Sequence, residues 1–130
     1  MPRLTRWFIR AGLLYLLTAL FLGVGLELDP AALPAGLRPA TFHLFVVGWI
    51  TQLIFGVAHW MFPRASRDQP RGTESVGWAA FALLNGGLLL RLLSEPALGL
   101  SGGWLAVSGG LQFAGALCWV LLLWPRVKER

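Results

Sequence analysis

Four long apolar stretches follow one another along the chain, separated by short segments rich in proline, glycine and arginine. They run from about Trp7 to Leu26, Ala40 to Phe62, Val76 to Leu93 and Trp104 to Trp124. Each has the roughly 20 apolar residues that a helix needs to cross the hydrocarbon core of a bilayer. The joins carry turn chemistry: Asp29-Pro30 and Pro34-Ala35-Gly36 after the first stretch, Pro63 to Gly72 after the second, and Pro96 to Gly103 after the third. Pro125 closes the fourth. The pattern predicts an all-α fold, an integral membrane four-helix bundle that makes residues 1–130 a single transmembrane domain.

Composition agrees, with 56% hydrophobic and only 13% charged residues. The net charge of +5 would suggest an acidic or nucleic-acid partner in a soluble chain, but here the basic residues cluster at the ends of spans and between them. Alternating topology groups the N-terminus, second loop and C-terminus on one side. That side holds Arg3, Arg6, Arg10, Arg64, Arg67, Arg71, Arg126, Lys128 and Arg130, nine of the 11 Lys and Arg residues. The other side holds Arg38 and Arg91. Both termini are therefore expected to be cytoplasmic, with membrane lipid rather than nucleic acid as the surrounding partner.

The N-terminus "MPRLTRWFIR" could also open a signal peptide. No small-x-small site follows the apolar core directly, so a retained first helix is expected. Cys118 is the sole cysteine, which excludes a disulfide or a thiolate cluster within one chain. Trp7, Trp60, Trp78, Trp104 and Trp124 fall near helix ends, where an amphipathic ring prefers the headgroup zone; Trp49 and Trp119 lie deeper and are expected to pack.

Polar side chains inside the spans require a partner or a cavity. Wound as a regular helix, the second span places Gly48, Gln52, Gly56 and His59 on one side, which should face the bundle. His43 then falls about 160° around from His59 and roughly 24 Å away along the axis. The two histidines of one chain therefore cannot ligate opposite faces of one cofactor. Ala106, Gly110, Ala114 and Cys118 on the fourth helix, with Ala82 and Gly86 on the third, form small-residue rows expected to let helices approach closely. Gln52, Asn85 and Gln112 should lie near the midplane, either as a hydrogen-bonded cluster or along a proton or water path.

The segment "LRPATFHLFVVGWITQLIFGVAHWMFPR" resembles the second helix of the catalytic subunit of heme-copper oxidases, and especially of nitric oxide reductases. In that family the helix enters from the outer side, carries a histidine near its start, and ends in a hydrophobic-Pro phrase. The resemblance covers the first four helices of a family whose catalytic subunit has about twelve. It implies that His43 ligates a low-spin heme b in a prokaryotic-type inner membrane. Arg38 and Arg91 would either face a heme propionate or snorkel to the interface. His59 has no ligand role in the motif; it is read as a polar residue bonded to a neighbouring helix, with a second metal or heme ligand as the weaker alternative.

Two functions follow as expectations. The first is a small membrane subunit or relative of the respiratory oxidase and reductase group that binds heme b through His43, as a homodimer or within a larger respiratory complex. The second is a heme-free accessory or assembly subunit that stabilises such a complex by helix packing. Catalysis on oxygen or nitric oxide by this chain alone is not expected, because a binuclear centre needs several metal-binding side chains close together.

Overall fold

The computed structural model describes residues 1–31, 33–34, 36–62, 72–94 and 102–127. Four helices in it are long and apolar enough to span a membrane. They are α1 (Arg3–Leu28), α2 (Leu37–Met61), α3 (Gly72–Leu92) and α4 (Gly102–Leu123), the last extended by a 3₁₀ turn over Trp124–Arg126. The chain is thus an all-α, multi-pass membrane protein.

Helix α1 starts four residues before the apolar stretch does. Arg3 and Arg6 extend it by pointing outward, while Leu4, Thr5 and Phe8 of the same turns are fully buried. Lipid thickness limits the apolar part of a helix but not the helix itself, which continues wherever one face can pack. Its C-terminal turn closes with the Asp29 N–H donating to the Gly25 carbonyl at 3.1 Å, and Asp29 Oδ1 then accepts from the Ala31 N–H. Helix α2 tolerates Pro39 in its first turn, where an N–H would have no helical partner. It ends at Phe62, whose backbone is extended (φ −71°, ψ 136°), the conformation favoured in front of the proline that follows.

Residues Leu44–Thr51 of α2 form a π-helix, flanked by α-helix on both sides. The Thr51 hydroxyl donates to the Val46 carbonyl five residues back. This segment changes which residues share a face. Ala40, Leu44, Gly48, Gln52 and Gly56 are all buried at four-residue spacing. On a regular α-helix each such step overshoots by about 40°, so the row would wander about 160° from end to end. The wider π turn takes up much of that drift and keeps the row inward.

Helices α1 and α2 pack antiparallel through this row. A Cβ added to Gly48 would lie 2.8 Å from Tyr15 Cβ, and one added to Gly56 would lie 3.0 Å from Phe8 Cβ. The side predicted to face the bundle does so. Helices α3 and α4 form the second close pair, but through residues other than those expected. Gly110 and Gly86 have no neighbour within 4 Å of an added Cβ, whereas Gly115 sits against the Ala80 carbonyl and the Leu84 amide, and Gly87 against the Ser108 carbonyl. The rows Ala82/Gly86 and Ala106/Gly110 therefore face outward. Both helices are apolar nearly all round, so hydrophobicity gave no direction and a small-residue period was read on the wrong side.

One aromatic residue from each helix knits the pairs together. Phe8 meets Phe81 edge-on at 5.1 Å between centroids, and Phe55 stacks on Trp119 at 4.7 Å. Leu4, Leu84, Ala80 and Leu122 pack around them. Trp119 is buried as expected, and the ring of half-buried Trp49 lies edge-on to Phe45. Trp7, Trp60, Trp104 and Trp124 are exposed near helix ends, as a headgroup location requires.

Candidate functional site

Helix α2 carries both histidines. His43 follows the buried Ala40 by three residues and His59 follows the buried Gly56 by three, with α-helical turns in both places. They consequently leave α2 on the same flank, one at each end of the helix. The expectation of nearly opposite sides assumed a regular α-helix and is corrected by the π segment. Their separation of sixteen residues along the axis is unaffected.

The rings are held in opposite ways. His43 Nδ1 lies 3.1 Å from the carbonyl of Pro39. A carbonyl only accepts, so Nδ1 carries the proton and Nε2 keeps its lone pair. His59 Nδ1 lies 3.4 Å from Nη1 of Arg126. A guanidinium only donates, so Nδ1 is the acceptor and the proton of the neutral ring sits on Nε2. The first arrangement frees a ring nitrogen for a metal; the second uses the ligating lone pair within the protein. His59 also lies 6.0 Å from the Trp119 ring, in the half-buried setting read for it as a satisfied polar residue.

Arg126 is the residue that sequence reasoning missed. It was counted only as a basic residue of the C-terminal tail, yet it is 7% exposed and joins α2. Pro125, within the 3₁₀ turn, hinted at a change of direction, but no local pattern links positions 67 residues apart.

Arg38 is exposed and ion-paired with Glu27 at 3.7 Å. Five residues separate it from His43, which places the two about 140° apart around the helix. Arg91 is half-buried in the last turn of α3 and engaged within the protein. The structure does not bring His43, Arg38 and Arg91 together as contacting residues.

Of the three amides, two pair. Gln52 Nε2 donates to Asn85 Oδ1 at 3.0 Å and Asn85 Nδ2 donates back to Gln52 Oε1 at 3.4 Å. Asn85 Nδ2 also reaches the Phe81 carbonyl. Gln112 is tied instead to Ser108 Oγ, which itself donates to the Gly87 carbonyl at 2.7 Å. These bonds serve helix-to-helix contact: α2 to α3 in one case, α3 to α4 in the other. Among the described residues no group of three or more His, Cys, Asp or Glu converges on a common point, and Cys118 packs against the Ala80, Trp119 and Leu122 cluster. Compared with known proteins, the chain matches no family model, no curated protein and no solved structure.

Proposed function

We propose that the chain is a small membrane subunit or relative of the respiratory heme-copper oxidase and nitric oxide reductase group, and that it presents His43 as an axial ligand of heme b. The observation that carries this reading is the bond between His43 Nδ1 and the Pro39 carbonyl. An axial histidine needs one unprotonated ring nitrogen, and a backbone acceptor on the other nitrogen fixes the tautomer and raises the basicity of the ligating one. When bound, heme supplies one-electron transfer. The chain's own residues set its depth, orient the imidazole and exclude water with the apolar walls of the spans. Arg38 and Arg91, the two basic residues that alternating topology assigns to the outer side, are the cations this reading would use for the propionates.

Both termini lie in the cytoplasm of a prokaryotic-type inner membrane in this proposal, supported by the distribution of Lys and Arg. In a Cys118→Ala background, a membrane-impermeant thiol reagent added outside should modify Ala31→Cys and spare Val127→Cys. The reverse pattern overturns the orientation. The functional reading is tested by absorption spectra of the purified protein, oxidised and dithionite-reduced: sharp reduced b-type bands are expected, and a featureless visible spectrum removes heme from the proposal.

A second reading is favoured by the outward rows of α3 and α4. Ala82 and Ala106 are exposed, and added Cβ atoms at Gly86, Gly109 and Gly110 would meet nothing within 4 Å. Such a surface suits close approach by a helix of another subunit, as a heme-free accessory protein would need.

A further inference from the structure

We propose that the N-terminal half of α1 and the C-terminal half of α2 together bind an anionic phospholipid, with Arg6 and Arg10 holding the phosphate and the groove beside them taking an acyl chain. The site stands apart from the heme reading and from His43. Arg3, Arg6 and Arg10 follow one another at steps of three and four residues, so they share one face of α1, and all three are exposed. The same face continues through exposed Leu13, Leu17 and Phe21, which makes it the side that α1 turns to lipid. Arg10 lies three residues, about 4.5 Å, further into the span than the headgroup-level Trp7. A guanidinium there reaches back toward the interface along its apolar stem and is stabilised by an anion. The protein supplies none: among the described residues Arg3, Arg6 and Arg10 form no ion pair, and Glu27, the acid that α1 itself carries, is paired with Arg38 at the other end.

The apolar half of the site lies on the same side of the α1–α2 pair. The two helices meet at Gly56, beside Phe8, and Phe8 and Phe55 both turn toward α3 and α4, where they meet Phe81 and Trp119. Arg6 is two residues from Phe8 and Val57 is two residues from Phe55, so each lies about 160° around its helix from the aromatic ring. Arg6 and Val57 therefore both look away from the rest of the bundle. Val57 lines a groove of about 650 Å³ together with Leu53, Ile54, Ala58, Met61 and Phe62, none of them polar. The deep end of the groove is level with Gly12, whose added Cβ would lie 3.6 Å from Leu53 Cδ2. Its shallow end is level with the terminus of α2 at Met61, the end of the bundle at which Arg6 stands. A phospholipid has its charge at the interface and its chains running inward from there, which is the order in which Arg6, Val57 and Leu53 are met. Two guanidiniums select a negative headgroup, and the groove gives a site that only a phosphate carrying a chain fills.

The experiment titrates dioleoyl phosphatidylglycerol into the purified full chain in an uncharged detergent, reading retained lipid by native mass spectrometry and stability by the thermal melt. Dioleoyl phosphatidylcholine and inorganic phosphate are the comparison ligands. Retained phosphatidylglycerol and a raised Tm are expected, with phosphatidylcholine bound more weakly and inorganic phosphate leaving Tm unchanged. Arg6→Gln combined with Arg10→Gln should weaken phosphatidylglycerol binding by about tenfold or more and remove the preference over phosphatidylcholine. Arg6→Lys combined with Arg10→Lys should keep most of that preference, since the charge remains. Val57→Trp, which alters no charge, should weaken the binding of both lipids. Melts without lipid show that each variant folds, and the wild-type preference and Val57→Trp test the site whether or not the glutamine pair does. Equal retention of both lipids by wild type, an undiminished preference in the glutamine pair, or an unaltered affinity in Val57→Trp overturns the site. A Tm raised as much by inorganic phosphate as by phosphatidylglycerol overturns the lipid as its occupant.

Discussion

The two ends of α2 contain the same side chain in opposite circumstances. At the His59 end, the ring is bonded to Arg126, neighbours Trp119, and adjoins a layer to which all four helices contribute an aromatic residue. At the His43 end, the ring is bonded, among the described residues, to its own helix through the Pro39 carbonyl, with exposed Phe42 beside it. A histidine whose ring nitrogen is committed to a neighbouring helix contributes to packing. One whose polar demand is met by its own helix has a nitrogen left for something outside the chain. Residue type and depth do not separate these cases; the direction of one proton does.

The sharpest way to break the comparison is to remove each ring in turn. His43→Ala should abolish any b-type spectrum, while His59→Ala should leave it largely intact and lower thermal stability instead. A spectrum that depends on His59 alone would place the cofactor at the wrong end of α2. The next effect concerns the row that aligns both histidines. Gly56→Leu must displace Phe8 and the Thr5 carbonyl, at a cost on the order of 1–3 kcal/mol, read as a lower Tm in detergent. Gly110→Leu, which meets no neighbour, should leave Tm within experimental error. Equal losses at the two sites would mean that α4 uses its outward row within the chain after all.

Smaller effects sharpen the picture. Gln52→Ala breaks the reciprocal amide pair but leaves Asn85 its bond to Phe81, so a loss of about 1 kcal/mol is expected. A loss several times larger would show that the pair has further partners. Arg126→Gln should cost roughly 0.5–1.5 kcal/mol. In a double-mutant cycle that cost should shrink when His59 is already alanine. Strict additivity would show that the Arg126–His59 contact contributes nothing.

The sequence made the four spans legible because bilayer thickness sets a length that few other constraints produce. Gly48, Gln52 and Gly56 were also legible, since small and amide residues in a row have few uses against lipid. Helix ends were less so: Arg3 and Arg6 looked like a boundary, yet they are helical because Leu4, Thr5 and Phe8 between and beyond them have a core to enter. The α3–α4 face was misread for a related reason. Ala82/Gly86 and Ala106/Gly110 satisfy the four-residue rule, whereas the contact is made by Gly87 on one helix and by Ser108 and Gly115, seven residues apart, on the other, and two apolar helices offer no hydrophobic contrast to choose between rows. The angular position of His43 could not be read at all. It depends on the π-helical segment over Leu44–Thr51, and "LFVVGWIT" contains no proline or other signal for that change.

The π segment gives this helix an unusual tolerance to a change of chain length. A wide turn arises when a helix accommodates a residue more than its α-helical path requires. Deleting one residue between Val46 and Trp49 would allow part of the segment to relax to α-helix, and Leu37–His43 would keep most of its alignment with Gln52–Met61, because the lost residue is one that the wide turn takes up. The same deletion in a regular α-helical part of α2 has no such slack and would turn the residues before it by about 100° relative to those after it. The stretch Leu44–Thr51 is therefore the part of α2 in which the chain can shorten by one residue without re-aiming the imidazole.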